Sequence, residues 1–357
     1  MIQGITDDKG RRIVGMVRFG PIEGGDVFFP GDPETATAVT VSSMRPYDTF
    51  PLPEQPSGRN MHLHRVVFPD VGKPLWTFTS PEQLVRAMDM ALEAHRELCE
   101  LGILHRDISP GNIMIRMAIN RDASTITEED LDIKDTQGFL TDFELAEIIP
   151  SSETGGTTTA TDDAVTGTLS VMASPLLQAI ISLRSLSKES QDATVAPIHT
   201  QEHDIESFGW VFFFVVYKAA VDFSPTHLGD LRKDLTAEFK ELFPGISPTQ
   251  ILQGRLRLKR EDANTHMLEY IDHHLKDPNF KDLFAFIRKY VLDPRLPRAD
   301  TEPNDFDSAI LEENDLDAAV FQQPPAPHLT HKLIHSAFVR YLEVTEKTRQ
   351  ARTPGRM

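Results

Sequence analysis

Cysteine is almost missing from this chain: Cys99 is the single copy among 357 residues. One thiol forms no internal disulfide, which excludes a secreted disulfide scaffold and points to a reducing compartment. It also excludes most structural zinc sites, and no Cys/His grouping shows zinc-ligand spacing. Positive charge is scarce as well. With 36 Lys and Arg against 54 Asp and Glu, the formal net charge is −18. General nucleic-acid and anionic-membrane binders carry a basic footprint, so neither partner is expected. No apolar run approaches the roughly 20 residues that span a bilayer; the densest stretch is Gly209 to Val216. The opening residues, MIQGITDDKGRR, lack the apolar centre of a signal peptide. These features together predict a soluble intracellular protein, cytoplasmic or nuclear. Lysine is missing too between Lys9 and Lys73.

What is present suits a globular protein. Hydrophobic residues make up 40% and charged residues 25%, enough for an ordinary core. At roughly 100–200 residues per domain, two or three structural units are expected. Residues 1–60 are rich in Gly, Pro and Thr and read as an N-terminal β or irregular segment. HLHRVVFP, from residue 62, reads as a strand and Gly72-Lys73-Pro74 as a turn. A helix follows. Ser80 is its N-cap, Pro81 its first residue, and Gln83 completes a capping box. Leu84, Met88, Ala91, His95 and Leu98 give it one apolar face, and Gly102 ends it. The apolar runs at 113–115 and 139–140 suit a hairpin with a long polar insertion. Helices are expected near 174–184, 205–220, 231–243, 265–275 and 280–292. Residues 297–327 are acidic and contain prolines, which predicts a loop. A last helix over about 329–346 and a basic tail complete the chain.

Chemistry concentrates in residues 103–115, ILHRDISPGNIMI. Asp107 sits at the head of a short loop, where a carboxylate can accept a hydroxyl proton and orient the nucleophile. Asn112, five residues on, can hold a metal against the same phosphate group. Asp142, after the short apolar run GFLT, can bind Mg²⁺ that bridges nucleotide phosphates. Glu144 places a second carboxylate two residues further along. Each element is weak alone; the ordered set is specific.

That set resembles the C-terminal lobe of a protein kinase and, more narrowly, the fungal-type protein kinase family, whose catalytic loop reads HRDIS…NIM. The resemblance runs from about Leu63 to Ala220. VTGTLSVMASPLL (165–177) is similar to the family's end of the activation segment, and DIESFGW (204–210) to the helix start that follows it. The implied fold is α+β, mainly α: a helical C-lobe over 61–296, a reduced or missing N-lobe in 1–60, an acidic loop over 297–327, and a C-terminal helix with its tail over 328–357. The implied activity moves the γ-phosphoryl of ATP, with Mg²⁺, to a protein Ser, Thr or Tyr hydroxyl. Asp107 is implied as the catalytic base. Asn112 and Asp142 are the implied metal and nucleotide residues, with Glu144 as a further candidate ligand. Arg106 is implied to neutralise a phosphorylated activation segment or to pair with a nearby acid. Thr168 is implied to hydrogen-bond toward Asp107, and Asp204 to tie down the catalytic-loop backbone. A protein substrate or partner follows; the oligomeric state does not.

The chain also departs from the pattern. Gly20, Gly24 and Gly25 lack the GxGxxG spacing, and Lys9 lacks the Val-Ala-x-Lys context of a nucleotide lysine. Glu144 stands where kinases have the Gly of Asp-Phe-Gly. Pro175 stands where they have a Glu that anchors the activation segment to a distant Arg, which predicts a looser segment. Two alternatives therefore stay open. One is a pseudokinase or interaction module. The other is a small-molecule phosphotransferase, suggested by Asp142-x-Glu144. Thr157, Thr158, Thr159 and Thr161 read as a polar loop with candidate phosphosites. Cys99 reads as a buried small hydrophobe, and His62, His64, His95 and His203 as surface or internally satisfied histidines.

Overall fold

Alternating apolar residues at Ile113 and Ile115 pack one face of a short strand, and this strand organises a small antiparallel sheet. The structure, a computed structural model, describes residues 71–117, 137–149, 167–185, 198–225, 228–245, 247–259, 264–292, 304–314 and 329–352. Strand β1 (Gly72–Pro74), β3 (Ile113–Arg116) and β4 (Gly138–Leu140) form that sheet in the order β1-β3-β4. The expected hairpin is therefore present, with Met114 opposite Phe139; its polar insertion lies outside the described residues. Gly72-Lys73-Pro74, expected as a turn, is instead a strand facing Met114–Arg116, at the edge of the sheet among the described residues. An edge position tolerates a proline, which has no N–H to give to a second neighbour. A second pair joins β2 (Ile103–Leu104) to β5 (Glu147–Ile148), with Leu104 opposite Glu147.

Helix α1 (Pro81–Glu100) begins as its sequence predicts. Ser80 Oγ accepts the Gln83 N–H at 3.2 Å, and Gln83 Oε1 accepts the Thr79 N–H at 2.9 Å. Its apolar face is fully buried at Leu84, Met88, Ala91 and Leu98, each large side chain worth about 1.5–3 kcal/mol. Gly138 lets β4 approach this helix, because a Cβ there would lie 1.9 Å from the Ala87 carbonyl oxygen.

Helix α2 spans Ser174–Ser185. Helix α3 (Gln201–Phe223) is the central element, capped by Thr200 and buried from Ile205 to Ala220 over most of its surface. Its aromatic residues stack on their neighbours: Phe213 lies 4.2 Å from Phe284, and Trp210 meets Phe243 edge-on at 6.3 Å. Around it stand α4 (Gly229–Leu242), α5 (Pro248–Arg255), α6 (Thr265–Tyr270, continuing as a π-helical turn to Leu275) and α7 (Pro278–Phe286, continuing likewise to Leu292). Helix α5 was not legible in the hydrophobic pattern; Ser247 caps it and Pro248 opens it. The acidic tract expected as a loop contains a helix, α8 (Asp305–Glu313). Asn304 caps it, and Phe306, Ile310 and Leu311 are buried. Helix α9 (His331–Arg352) packs along α1.

The described region is thus mainly helical with a few short strands, an α+β arrangement. The expected N-terminal segment 1–60 and the strand from residue 62 lie outside the described residues. No helix among the described residues is long and apolar enough to cross a membrane.

Candidate functional site

β2 delivers the chain to His105, whose imidazole is fully buried. Its Nε2–H donates to the Thr141 carbonyl oxygen at 3.1 Å, and its ring lies 4.9 Å from that of Phe143. Burial pushes the His105 pKa down, so the ring is a neutral clamp between the 105–112 loop and the segment after β4. Arg106 then turns the chain with φ 68°, a left-handed conformation uncommon outside glycine. Its backbone N–H is held by Asp204 Oδ2 at 3.1 Å.

The turn presents Asp107. Its Oδ1 accepts both the backbone N–H and the Oγ1–H of Thr168, each at 2.8 Å. Asn112 Nδ2 donates to the Asp107 carbonyl and to Asp107 Oδ2, each at 2.9 Å. Both amide hydrogens of Asn112 are thereby committed, which fixes the amide's orientation and, among the described residues, leaves Oδ1 as its open acceptor. Gly167 makes the approach of Thr168 possible. It has φ 121°, and a Cβ there would come within 2.9 Å of the Arg106 carbonyl oxygen.

Asp142 also adopts a left-handed backbone, φ 62°. Phe143 packs against the core while Asp142 and Glu144 on either side are exposed. Asp142 has no side-chain hydrogen bond among the described residues. An exposed carboxylate and an open amide oxygen are the hard oxygen donors that Mg²⁺ takes, so the residues present fit that ion.

The Arg106 guanidinium meets an acid, Glu147 Oε2, at 2.8 Å. Sequence reading missed Glu147, which only the β2–β5 pairing brings to the loop. The candidate phosphosites from Thr157 to Thr161 lie outside the described residues.

Beneath the loop, Asp204 is 1% exposed. Besides the Arg106 N–H it accepts His95 Nε2–H at 3.0 Å and His199 Nε2–H at 2.7 Å. Burial disfavours its charge, but these bonds win and hold the carboxyl below the usual carboxylate range. Burial likewise opposes charge on His95, yet the bond to Asp204 holds it up to about 9. His95 is internally satisfied, as expected; His199 and His331, which complete the cluster, gave no sequence signal.

Pro175 was expected to loosen the segment, and the described end of that segment is held by residues from elsewhere. Glu206 Oε1 accepts the Ser174 N–H at 2.8 Å and the Trp210 Nε1–H at 3.0 Å. Arg255 donates to Ser174 Oγ at 2.9 Å and to the Ser170 carbonyl at 3.2 Å, with its guanidinium 3.9 Å from the Trp210 ring centroid. The acid absent at position 175 is supplied from α3, and the fastening survives. A cavity of about 260 Å³ lined by Tyr217, Glu238, Arg257, Asn264 and His266 contains none of the loop residues.

A family model described as fungal protein kinase matches residues 25–216, a span that includes the 105–112 loop, Asp142, Thr168 and Asp204. No curated protein matches the chain.

Proposed function

The chain belongs to the fungal protein kinase family, and from that premise we propose that it transfers the γ-phosphoryl group of ATP, with Mg²⁺, to a hydroxyl of a protein substrate. The observation that carries this reading is the fixing of the Asp107 carboxylate by Thr168 and Asn112. A base held from both sides loses no orientation when a hydroxyl arrives, and positioning supplies most of the catalysis in such transfers. Asp107 accepts the hydroxyl proton as the oxygen bonds to phosphorus and ADP leaves. Asn112 Oδ1 and the Asp142 carboxylate are the oxygens that would hold Mg²⁺, with Glu144 as a further candidate. The ion, when bound, neutralises charge on the transferring phosphates. Arg106, already paired with Glu147, keeps the loop's left-handed turn in place without a phosphate on the chain.

The second reading is an interaction module without turnover. It rests on the sequence between Lys9 and Lys73, which holds no lysine to pair with nucleotide phosphates, and on Glu144 in place of glycine.

Thermal unfolding with and without Mg·ATP separates the two. A nucleotide at about 100 times its Kd adds about 2.7 kcal/mol, a shift of several degrees. The shift is expected in the wild type and absent in Asp142→Asn. Label transfer from γ-labelled ATP to a protein mixture, abolished in Asp107→Asn, then identifies a protein kinase. Transfer to free small alcohols alone would make it a small-molecule phosphotransferase. No shift at millimolar Mg·ATP would sink the enzyme reading.

A further inference from the structure

The buried cluster behind the loop holds more than Asp204 requires. On α1, His95 and Cys99 stand four residues apart on one face, and α9 begins with His331 against them. His95 Nδ1 lies 2.7 Å from His331 Nε2, and Cys99 Sγ lies 3.8 Å from both ring nitrogens of His95. One ligand atom from each of the three residues falls within 4.8 Å of the other two. His95 is 0% exposed, His331 7%, and Cys99 is half-buried.

We propose that His95, Cys99 and His331 form a binding site for Zn²⁺. Two imidazoles and a thiolate suit a borderline-soft ion and not Mg²⁺ or Ca²⁺, which take oxygen. Tetrahedral geometry with the usual Zn–N and Zn–S bonds needs an N–N edge of about 3.3 Å and an N–S edge of about 3.6 Å. The Cys99–His95 edge is already close to that value. The two imidazoles must part by about 0.6 Å for the ion to enter between them. The outer partner is also in place. Asp204 accepts His95 Nε2–H, and a carboxylate on the far nitrogen fixes the tautomer that turns Nδ1 toward a metal. On binding, the Cys99 thiol releases its proton to solvent and so does the His95 Nδ1–H that bridges to His331 Nε2, one Zn–S and two Zn–N bonds form, and the half-buried Cys99 side leaves the fourth position to water.

The ion would fasten α9 to α1 across 236 positions of sequence. It would also sit one residue away from the Arg106 N–H, because Asp204 Oδ2 accepts from both Arg106 and His95. Zn²⁺ at this site is therefore expected to stiffen the 105–112 loop from behind. The site stands whether or not the chain turns over ATP.

The probe is Co²⁺ added to the metal-stripped full chain, which reports ligand type by colour. One equivalent is expected to give the intense visible bands of a tetrahedral site and a near-ultraviolet thiolate charge-transfer band, both removed by one equivalent of Zn²⁺. Cys99→Ser should lose the charge-transfer band and bind at least tenfold more weakly, while its metal-free melting temperature stays that of the wild type. His331→Ala should weaken binding at least as much. Zn²⁺ should raise the melting temperature of the wild type and leave that of Cys99→Ser unmoved. Absence of stoichiometric Co²⁺ binding, or a Co²⁺ spectrum and affinity unchanged in Cys99→Ser, would overturn the proposal and leave His95 and His331 as a hydrogen-bonded pair only.

Discussion

Asp107 and Asp204 are joined through a single residue, Arg106, whose N–H bonds to Asp204, yet their surroundings are opposites. Asp204 is buried on a helix and every partner is internal: two imidazoles and one backbone N–H. Asp107 is half-buried at the head of a loop, held by one amide and one threonine, with acceptor capacity left toward solvent. A buried carboxylate with full bonding is a scaffold, since charge in that position is costly unless completely paired. A carboxylate that is fixed but open is one that can still meet a substrate. The geometry of the open one depends on the buried one.

The comparison breaks first at Asp204. Asp204→Ala takes the acceptor from the His95 Nε2–H, the His199 Nε2–H and the Arg106 N–H inside the protein, an expected loss of about 3–5 kcal/mol and roughly 10 °C in melting temperature. Calorimetry or circular dichroism melts check it; an unchanged melt would deny Asp204 its scaffold role. Asp107→Asn is expected to reverse the pattern. Phosphoryl transfer should fall about 10²–10⁴-fold, with melting within a degree or two of the wild type. A large drop in stability with activity retained would exchange the roles assigned to the two aspartates.

Arg255→Ala sharpens the contrast from the far end of the same segment. It removes the guanidinium from Trp210 and two hydrogen bonds from Ser170 and Ser174, a loss of about 2–3 kcal/mol. Amide hydrogen exchange near residues 170–176 should rise in the variant. Arg255→Lys should recover little, because an ammonium reproduces neither the planar stack nor the fork.

The smallest effect is at the α1–α9 seam, where His335 Nδ1–H donates to Asp89 at 2.8 Å. The bond to Asp89 raises the His335 pKa, while burial is the main cause that raises that of Asp89. Both folded-state shifts are upward, so both contributions to stability are present at low pH and are lost as pH rises. For Asp89 the window opens at about 4 and for His335 at about 6.5. His335 is partly exposed, so its share stays below about 1 kcal/mol. Melting temperature should fall slightly more steeply between pH 6 and 9 in the wild type than in His335→Gln; equal slopes would remove the ion pair from the account.

Much of the site was legible because its signals are local. His105-Arg106-Asp107 and Asn112 lie within one loop, and Ser80, Pro81 and Gln83 cap α1 by contacts three or four residues long. The hairpin showed in two apolar runs. Helix α5, with only eight residues, carried too little periodicity to register, and α8 was hidden by its acidic surface. Around Pro175 the sequence hid something else: the bonds of Glu206 and Arg255 to Ser174 come from two other helices.

The sequence by itself determined the candidate residues and the order in which they occur, because loop motifs, caps and apolar stripes are written in neighbouring positions. Tertiary structure alone decided who supports them. Glu147 reaches Arg106 through strand pairing, His331 reaches His95 across most of the chain, and Asp204 joins three elements at one carboxylate. Partners of this kind are chosen by packing, since a buried charge accepts whichever donors the fold brings within 3 Å or so, and no local pattern records where those donors come from.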